Sequence, residues 1–313
     1  MDDADAIITG FPVCRRNLSA AGLNPLEHPY GTIDQSRFNS KHLGRKLQTM
    51  QYVKLNDQLL MPMVGYGTYR TPISKTRDLV AEAIEIGYRS IDTAQCYGNE
   101  SGVGEAVRNS SIPREDFFLT TKTWTTGYKD TKRSIDRSLQ ELQTDYVDLL
   151  LIHEPTGDIA GIYRALEDAY EAGKARAIGL SNFMGETLRK IVRDARIKPA
   201  VDQVETHPLR QQWMLQRKCE GAGIVMESWS PLVAGNRSLL NDPMIEAIAQ
   251  DHGRKPAQIV LRWLVQRGIP VIPKSTSREH MAENLEVFDF SFTDHEMDRM
   301  KEFDTDKSQF GWW

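Results

Sequence analysis

Gly87-Tyr88-Arg89-Ser90-Ile91-Asp92-Thr93-Ala94-Gln95-Cys96-Tyr97-Gly98-Asn99-Glu100 reads as a short buried strand that meets a carboxylate, turns, and starts a helix. Tyr88 to Ile91 supplies the strand, Gly98 and Asn99 break the chain, and Glu100 to Asn109 has the composition of a helix's first turns. The stretch delivers Asp92 and, five residues on, the Tyr97 phenol to one rim, where a parallel α/β barrel keeps its chemistry. A plainer alternative is an Asp that caps the turn and a Tyr that packs. The rest of the chain decides between the two.

Strands and helices alternate outward from it. Tyr52 to Leu55 and Leu59 to Met61, with Asn56-Asp57 between them, read as a small β-hairpin. Met63 to Gly67 is a buried strand and Ile73 to Gly87 an amphipathic helix ended by glycine. Strands at 117–121, 146–152, 175–180, 200–204 and 224–227 precede helices at 130–142, 159–172, 186–195, 211–222 and the pair 244–252 and 257–266. Pro270 to Ile272 is the last strand, with a helix from Arg278 to Leu285 behind it. Near-continuous apolar strands, each joined by a short loop to a helix, mean a parallel sheet covered by helices. Eight such units over about 260 residues predict an α/β fold, a closed (β/α)8 TIM barrel with an N-terminal β-hairpin and two extra helices. An open doubly wound sheet would carry a Gly-x-Gly-x-x-Gly turn, and Gly65-Tyr66-Gly67-Thr68-Tyr69-Arg70 lacks the third glycine.

With 313 residues, 40% apolar and 26% charged, the chain has the makings of a sizeable core. A net charge of −4 without a Lys/Arg block argues against a nucleic-acid partner. No apolar run approaches the roughly 18 residues of a membrane span. Cys14, Cys96 and Cys219, odd in number and far apart, suit a reducing compartment, and the acidic start Met1-Asp2-Asp3-Ala4-Asp5 is unlike a signal peptide, so the cytoplasm is the expected location. Residues 1–49 carry Pro12, Pro25 and Pro29 and no sustained period, so they are expected to be a flexible extension, with 50–313 a single barrel. Met50 is expected to be the physiological start; mass spectrometry of the native protein finding residue 1 intact would rule that out.

Four polar residues fall at successive strand ends or just beyond: Asp92 and Tyr97, then Lys122, then His153. Neighbouring strands lie about 5 Å apart, so these side chains can converge. The set suits proton donation to a carbonyl oxygen. Lys122 beside Tyr97 would lower the phenol's pKa, Asp92 would hold the lysine, and His153 would orient the carbonyl. No nucleophile–base pair accompanies them, and no His/Cys/carboxylate cluster has metal-ligand spacing. A carbonyl with a proton donor still needs a hydride, which implies a nicotinamide cofactor.

From about Met50 to the C-terminus the chain resembles the aldo-keto reductases. The resemblance rests on Gly65 to Tyr69, Ile91-Asp92-Thr93-Ala94…Tyr97-Gly98-Asn99-Glu100, Lys122-Thr123-Trp124, His153-Glu154-Pro155, Ile178 to Phe183, Gln203 to Pro208, Ser228 to Leu232, and Ile272-Pro273-Lys274-Ser275…Glu283-Asn284, in that order. Gly173 to Phe183 is nearest the bacterial branch with diketogluconate reductase-like enzymes. The resemblance implies NADPH as cofactor, a small carbonyl compound (a keto sugar, a dicarbonyl or an aromatic aldehyde) as substrate, and a monomer. It makes Tyr97 the proton donor, Lys122 and Asp92 its tuners, and His153 the carbonyl-orienting donor. Ser181, Asn182 and Gln203 would hold the nicotinamide amide, Trp229 would stack on the ring, and Ser230 and Leu232 would line the pyrophosphate, with Thr68 near the ribose. Lys274, Ser275 and Arg278 would meet the 2′-phosphate, Glu283 and Asn284 the adenine, and Tyr69 and Trp124 would wall the substrate pocket.

Two departures from the family pattern matter. His280 stands where an Arg is frequent, which replaces a bidentate phosphate contact with a weakly charged ring; NADPH should be preferred with NADH still usable. Glu154 stands where many members carry an aromatic, adding charge if it faces the pocket. The short tail ending in Trp312 and Trp313 suggests an open site, and Cys96 reads as a small filler. A non-catalytic nucleotide-binding subunit and a Schiff-base aldolase acting through Lys122 share the fold and stay open here.

Overall fold

The structure, a computed structural model, describes residues 50–56 and 59–311. The extension expected over residues 1–49, the turn residue Asp57, and the tail residues Trp312 and Trp313 lie outside them. β1 (Tyr52–Lys54) and β2 (Leu60–Pro62) form the antiparallel hairpin, Val53 opposite Met61. Asn56 orders its turn by accepting the Leu59 N–H at 3.1 Å.

β3 (Tyr66–Gly67), β4 (Ser90–Asp92), β5 (Phe118–Thr123), β6 (Val147–Ile152), β7 (Ala175–Ser181), β8 (Val201–Glu205) and β9 (Val225–Trp229) make one parallel sheet in chain order. Between them run α1 (Ile73–Ile86), α2 (Glu100–Asn109), α3 (Tyr128–Glu141), α4 (Ile159–Glu171), α5 (Gly185–Asp194) and α6 (Trp213–Gly221). After β9 come α7 (Arg237–Leu240), α8 (Pro243–His252), α9 (Pro256–Gln266), α10 (Arg278–Leu285) and α11 (Asp294–Met300). Every residue of β5 and β6 is buried, because a parallel strand is covered on both faces. Truncating a core leucine such as the fully buried Leu149 to alanine would cost about 2–5 kcal/mol.

The eighth strand is reduced to a seam. Val271 bridges in parallel to Val64 on one side and to Ser228 on the other, closing the barrel. Pro270 and Pro273 flank the seam and have no N–H to continue a ladder, which limits the strand expected at 270–272 to this one bridged residue. At Gly67 a Cβ would lie 2.7 Å from the Ile272 carbonyl oxygen, so the seam requires glycine there.

Two boundaries bear on the site. β5 continues through Thr123, so Lys122 sits within the strand rather than after it. α6 starts at Trp213 instead of Gln211, because Gln212 adopts a left-handed φ of 57°. α11 was not expected; it starts at Thr293-Asp294-His295-Glu296, a capping box in which Thr293 and Glu296 bond each other's backbone N–H. Among the described residues no helix is long and apolar enough to cross a membrane.

Candidate active site

Asp92 ends β4 with its backbone carbonyl fixed by Thr68, whose N–H and hydroxyl donate to it at 3.0 and 2.9 Å. Thr68 is fully buried and its hydroxyl orders the end of β4. Lys122 comes up from β5 with its side chain enclosed. Its Nζ donates to Asp92 Oδ1 at 2.6 Å and to the Thr93 carbonyl at 2.9 Å, and lies 3.5 Å from the Tyr97 hydroxyl. Tyr97 reaches that point because a single 3-10 turn, Gln95–Tyr97, ends at Gly98 in the left-handed conformation (φ 66°) and doubles the chain back over the strand. Asn99 braces the turn, accepting from the Thr93 hydroxyl at 2.7 Å and donating to the Thr68 carbonyl at 3.1 Å.

Behind Asp92 the network continues inward. Gln203 Nε2 donates to Asp92 Oδ2 at 2.9 Å and to Glu227 Oε2 at 2.8 Å, using both amide hydrogens. One lysine therefore serves two buried carboxyl groups. Burial, and then the Asp92 charge, push the Glu227 carboxyl up to about 8, so it holds a proton at neutral pH. Glu227 was missed as a site residue. A lone charged residue in the buried strand Val225-Met226-Glu227 is the sequence signal that would have found it.

The Tyr97 phenol departs from the expectation set by the lysine alone. Burial and then the Asp92 charge hold it well above the usual tyrosine value. Lys122 points its shortest contact at Asp92 and only grazes the phenol, so the net push is upward. The phenol stays protonated at neutral pH, the form that donates.

His153, just past β6, is held neutral: burial and then the Lys122 charge lower it to about 3. Its Nδ1 lies 3.4 Å from the Cys96 sulfur. Burial raises the Cys96 thiol, so it keeps its hydrogen and can donate to Nδ1, an arrangement that would put the ring hydrogen on Nε2. Tyr97 and Trp124 stand edge-on to the His153 ring at 5.6 and 5.2 Å, and Tyr69 packs 5.0 Å from Tyr97. Tyr69 and Trp124 are about half exposed (47% and 55%), one beside the phenol and the other beside the imidazole.

Glu154 turns inward. Its Oε1 accepts from Asn182 Nδ2 at 2.9 Å, while Oε2 is buried without a partner among the described residues. Asn182, at a left-handed φ of 64° just beyond β7, accepts the Trp229 indole N–H at 2.8 Å. Trp229 is covered on one side by Phe310, with centroids 5.3 Å apart. The tail is anchored beside it, since Gln309 N–H donates to Glu205 Oε1 at 2.8 Å. Phe310 is therefore the tail aromatic that the described residues place at the rim.

Among the described residues Ser181 Oγ, Gln203 Oε1 and one Asn182 amide hydrogen have no protein partner. One acceptor and two donors are what a ligand's primary amide needs. Further out, Ser230 and the half-buried Leu232 lie in a loop where Ser230, Val233, Ala234 and Gly235 all have positive φ. Ser275 is buried and its carbonyl accepts the Tyr66 phenol at 2.7 Å. Lys274, Arg278 and His280 stand exposed around the start of α10. Arg278 is bound 3.3 Å from both Glu82 and Glu85, and the α10 N–H of His280 is capped by Ser277. Glu283 is half-buried at α10, and Asn284 is buried in the same helix, where the Tyr88 phenol donates to the Met281 carbonyl at 3.0 Å.

The Aldo/keto reductase family profile matches residues 63–305. The chain is 42% identical over 259 residues to the glyoxal reductase of Bacillus subtilis, covering 82% of this chain and 93% of that protein. It is 41% identical to the methylglyoxal reductase DkgA of Yersinia pestis, covering 83% and 95%. Among solved structures, a Bombyx mori aldo-keto reductase in complex with NADP superimposes with a TM-score of 0.78 at 32% identity, over 83% of this chain and 95% of that one. The chain belongs to the aldo/keto reductase family.

Proposed function

From that membership, we propose that this protein reduces small aldehydes and ketones, short dicarbonyls foremost, with NADPH, and that Tyr97 gives the proton. The observation that carries the proposal is the convergence of Tyr97, Lys122, Asp92 and His153 on one opening, with a neutral histidine and a protonated phenol. The glyoxal and methylglyoxal reductases among the relatives support the substrate class, and the NADP complex of the Bombyx mori protein supports the cofactor.

The unpartnered Gln203 Oε1, Ser181 hydroxyl and Asn182 amide hydrogen fit the carboxamide of a nicotinamide, and the Trp229 face suits its ring. Bound there, NADPH would supply the hydride for the carbonyl carbon. The chain's own residues do the rest. His153 Nε2–H holds the carbonyl oxygen in line with Tyr97 Oη, which releases its proton to that oxygen as negative charge grows. Lys122 Nζ then stands beside the phenolate left behind. A Schiff-base role for Lys122 is disfavoured, because Nζ is committed to Asp92, Thr93 and Tyr97. Lys274, Arg278 and Ser275 frame the 2′-phosphate end, and with His280 in place of an arginine NADH remains usable; a preference for NADPH of ~10³-fold or more would defeat this point.

The test is loss of absorbance at 340 nm with NADPH, and then NADH, on glyoxal, methylglyoxal and an aromatic aldehyde, beside Tyr97→Phe. Turnover that disappears in the variant supports the proposal. Nucleotide binding with no turnover on any carbonyl overturns it in favour of a binding subunit.

A further inference from the structure

Glu154 has no part in the chemistry above, yet it is the most unusual polar group at the rim. It follows His153 directly, is only 9% exposed, and presents a buried Oε2 that no described residue satisfies. An enclosed oxygen of this kind normally finds a hydrogen-bond partner. Its other oxygen holds Asn182, one of the residues whose remaining amide hydrogen fits a nicotinamide carboxamide, and Asn182 in turn holds the Trp229 indole. A carboxyl group, an amide and an indole therefore form one hydrogen-bonded line at the position where the ring would lie.

We propose that Glu154 is a positioning residue that tunes the nicotinamide end of the site, fixing Asn182 and, when ionised, favouring the oxidised, cationic ring over the reduced, neutral one. The inference rests on the reductase reading above. Its physical basis is Coulombic: a carboxylate in a low-dielectric rim attracts a positive ring and is indifferent to a neutral one. By linkage, the oxidised nucleotide must then hold the proton off Glu154.

Glu154 is also placed to change charge near neutral pH, as is Glu227, which lies deeper and is separated from the ring by Gln203. Burial lifts the Glu154 carboxyl to about 7, against the lowering effect of the Asn182 hydrogen bond. The groups facing it behave otherwise. On the turn after β4, Tyr97 and Cys96 are both raised and stay neutral, and each feels the Glu154 charge. His153 beside it is lowered to about 3 and stays neutral. Lys122 on β5 is bound to Asp92. Asn182 on the β7 side and Trp229 on β9 do not titrate. The sign follows: deprotonating Glu154 strengthens binding of NADP+ and leaves NADPH nearly unaffected.

Intrinsic tryptophan fluorescence titrations with NADP+ and with NADPH, at about pH 6 and about pH 8.5 and constant ionic strength, test this on the full chain. The 2′-phosphate is common to both nucleotides and cancels in the ratio of their dissociation constants. For the wild type, Kd(NADP+)/Kd(NADPH) should fall about fivefold to tenfold between the two pH values, the size of one partly screened charge interaction. In Glu154→Gln most of that fall should disappear, any remainder coming from Glu227 behind Gln203. Glu154→Met carries the same expectation and serves if the glutamine variant does not fold. A flat ratio in the wild type, or the same slope in both variants, overturns the proposal. Failure of either nucleotide to bind at both pH values overturns the cofactor reading and, with it, the role given to Glu154.

Discussion

Asp148 near the start of β6 and Asp92 at the end of β4 are both buried carboxylates facing cations, at opposite ends of the barrel. Asp148 receives two arginines, Arg176 on Oδ1 and Arg114 on Oδ2, each at 2.9 Å, plus the Leu119 N–H at 2.9 Å. Its charge is met in full, with both guanidinium groups partly open to water. Asp92 has one lysine, fully enclosed, and shares it through Gln203 with Glu227. The lower cluster is saturated and ties three segments together. The upper one has more carboxyl groups than cations, and it is the one that leaves a phenol within reach of a ligand. In a barrel of this kind the N-terminal ends of the strands serve stability and the C-terminal ends serve chemistry. The electrostatics of the two aspartates follow that division.

The largest effect should come from the upper cluster. Tyr97→Phe removes the proton donor and should lower kcat by roughly 10²- to 10⁴-fold while thermal unfolding stays within a few degrees of wild type. A comparable loss of stability would mean that the upper cluster is also structural and would dissolve the contrast.

Asp148→Asn is the mirror experiment. Leaving two arginines without their carboxylate should destabilise the fold by about 2–3 kcal/mol, less than for a fully enclosed pair because both arginines see water. Urea unfolding would measure it, and kcat per folded molecule should be unchanged.

Glu227→Gln sharpens the comparison through pH. The Glu227 carboxyl sits at about 8 in the fold, above its unfolded value of 4.5. Between those values the folded state holds a proton that the unfolded state has released, so this group makes stability fall as pH rises, with no further loss above about 8. The glutamine variant should lose that slope, read as the pH dependence of the urea midpoint from 5 to 8.5, about the span of the two ionisations. An unchanged slope would show that Glu227 does not hold that extra proton in the folded state.

The smallest effect expected is at Cys96. Cys96→Ala removes the hydrogen offered to His153 Nδ1 and should cut kcat a few-fold, about threefold for a weak S–H donor. Cys96→Ser should restore it, and nitrogen-15 shifts of His153 would show whether the tautomer follows.

Much of this was legible in the chain. The Gly87-to-Glu100 stretch announced a strand, a turn and a helix start; the turn and α2 are where it placed them, while β4 runs over Ser90–Asp92 instead of Tyr88 to Ile91. Asp92, Tyr97, Lys122 and His153 were named from strand ends and do meet. Thr68 was less legible, because a motif records which residue type is present and not which way its polar atoms turn; its hydroxyl is bonded to the Asp92 carbonyl. Glu227 escaped for a related reason, and Glu154 was singled out as a departure without its orientation or partner. Their importance lies in partners far along the chain, Gln203 and Asn182, and in burial.

What the sequence determined by itself is the periodic part: apolar strands, amphipathic helices, glycine and proline stops, and a recurring rim of polar residues, all set by local sterics and the pattern of apolar side chains. What only the tertiary structure decided is the balance of charge. Whether Lys122 lowers the Tyr97 phenol or Asp92 and burial raise it depends on a 2.6 Å contact set against a 3.5 Å one. Both distances exist only once β4 and β5 lie side by side, since Coulomb energies turn on distance and solvent exclusion and neither is written in residue order.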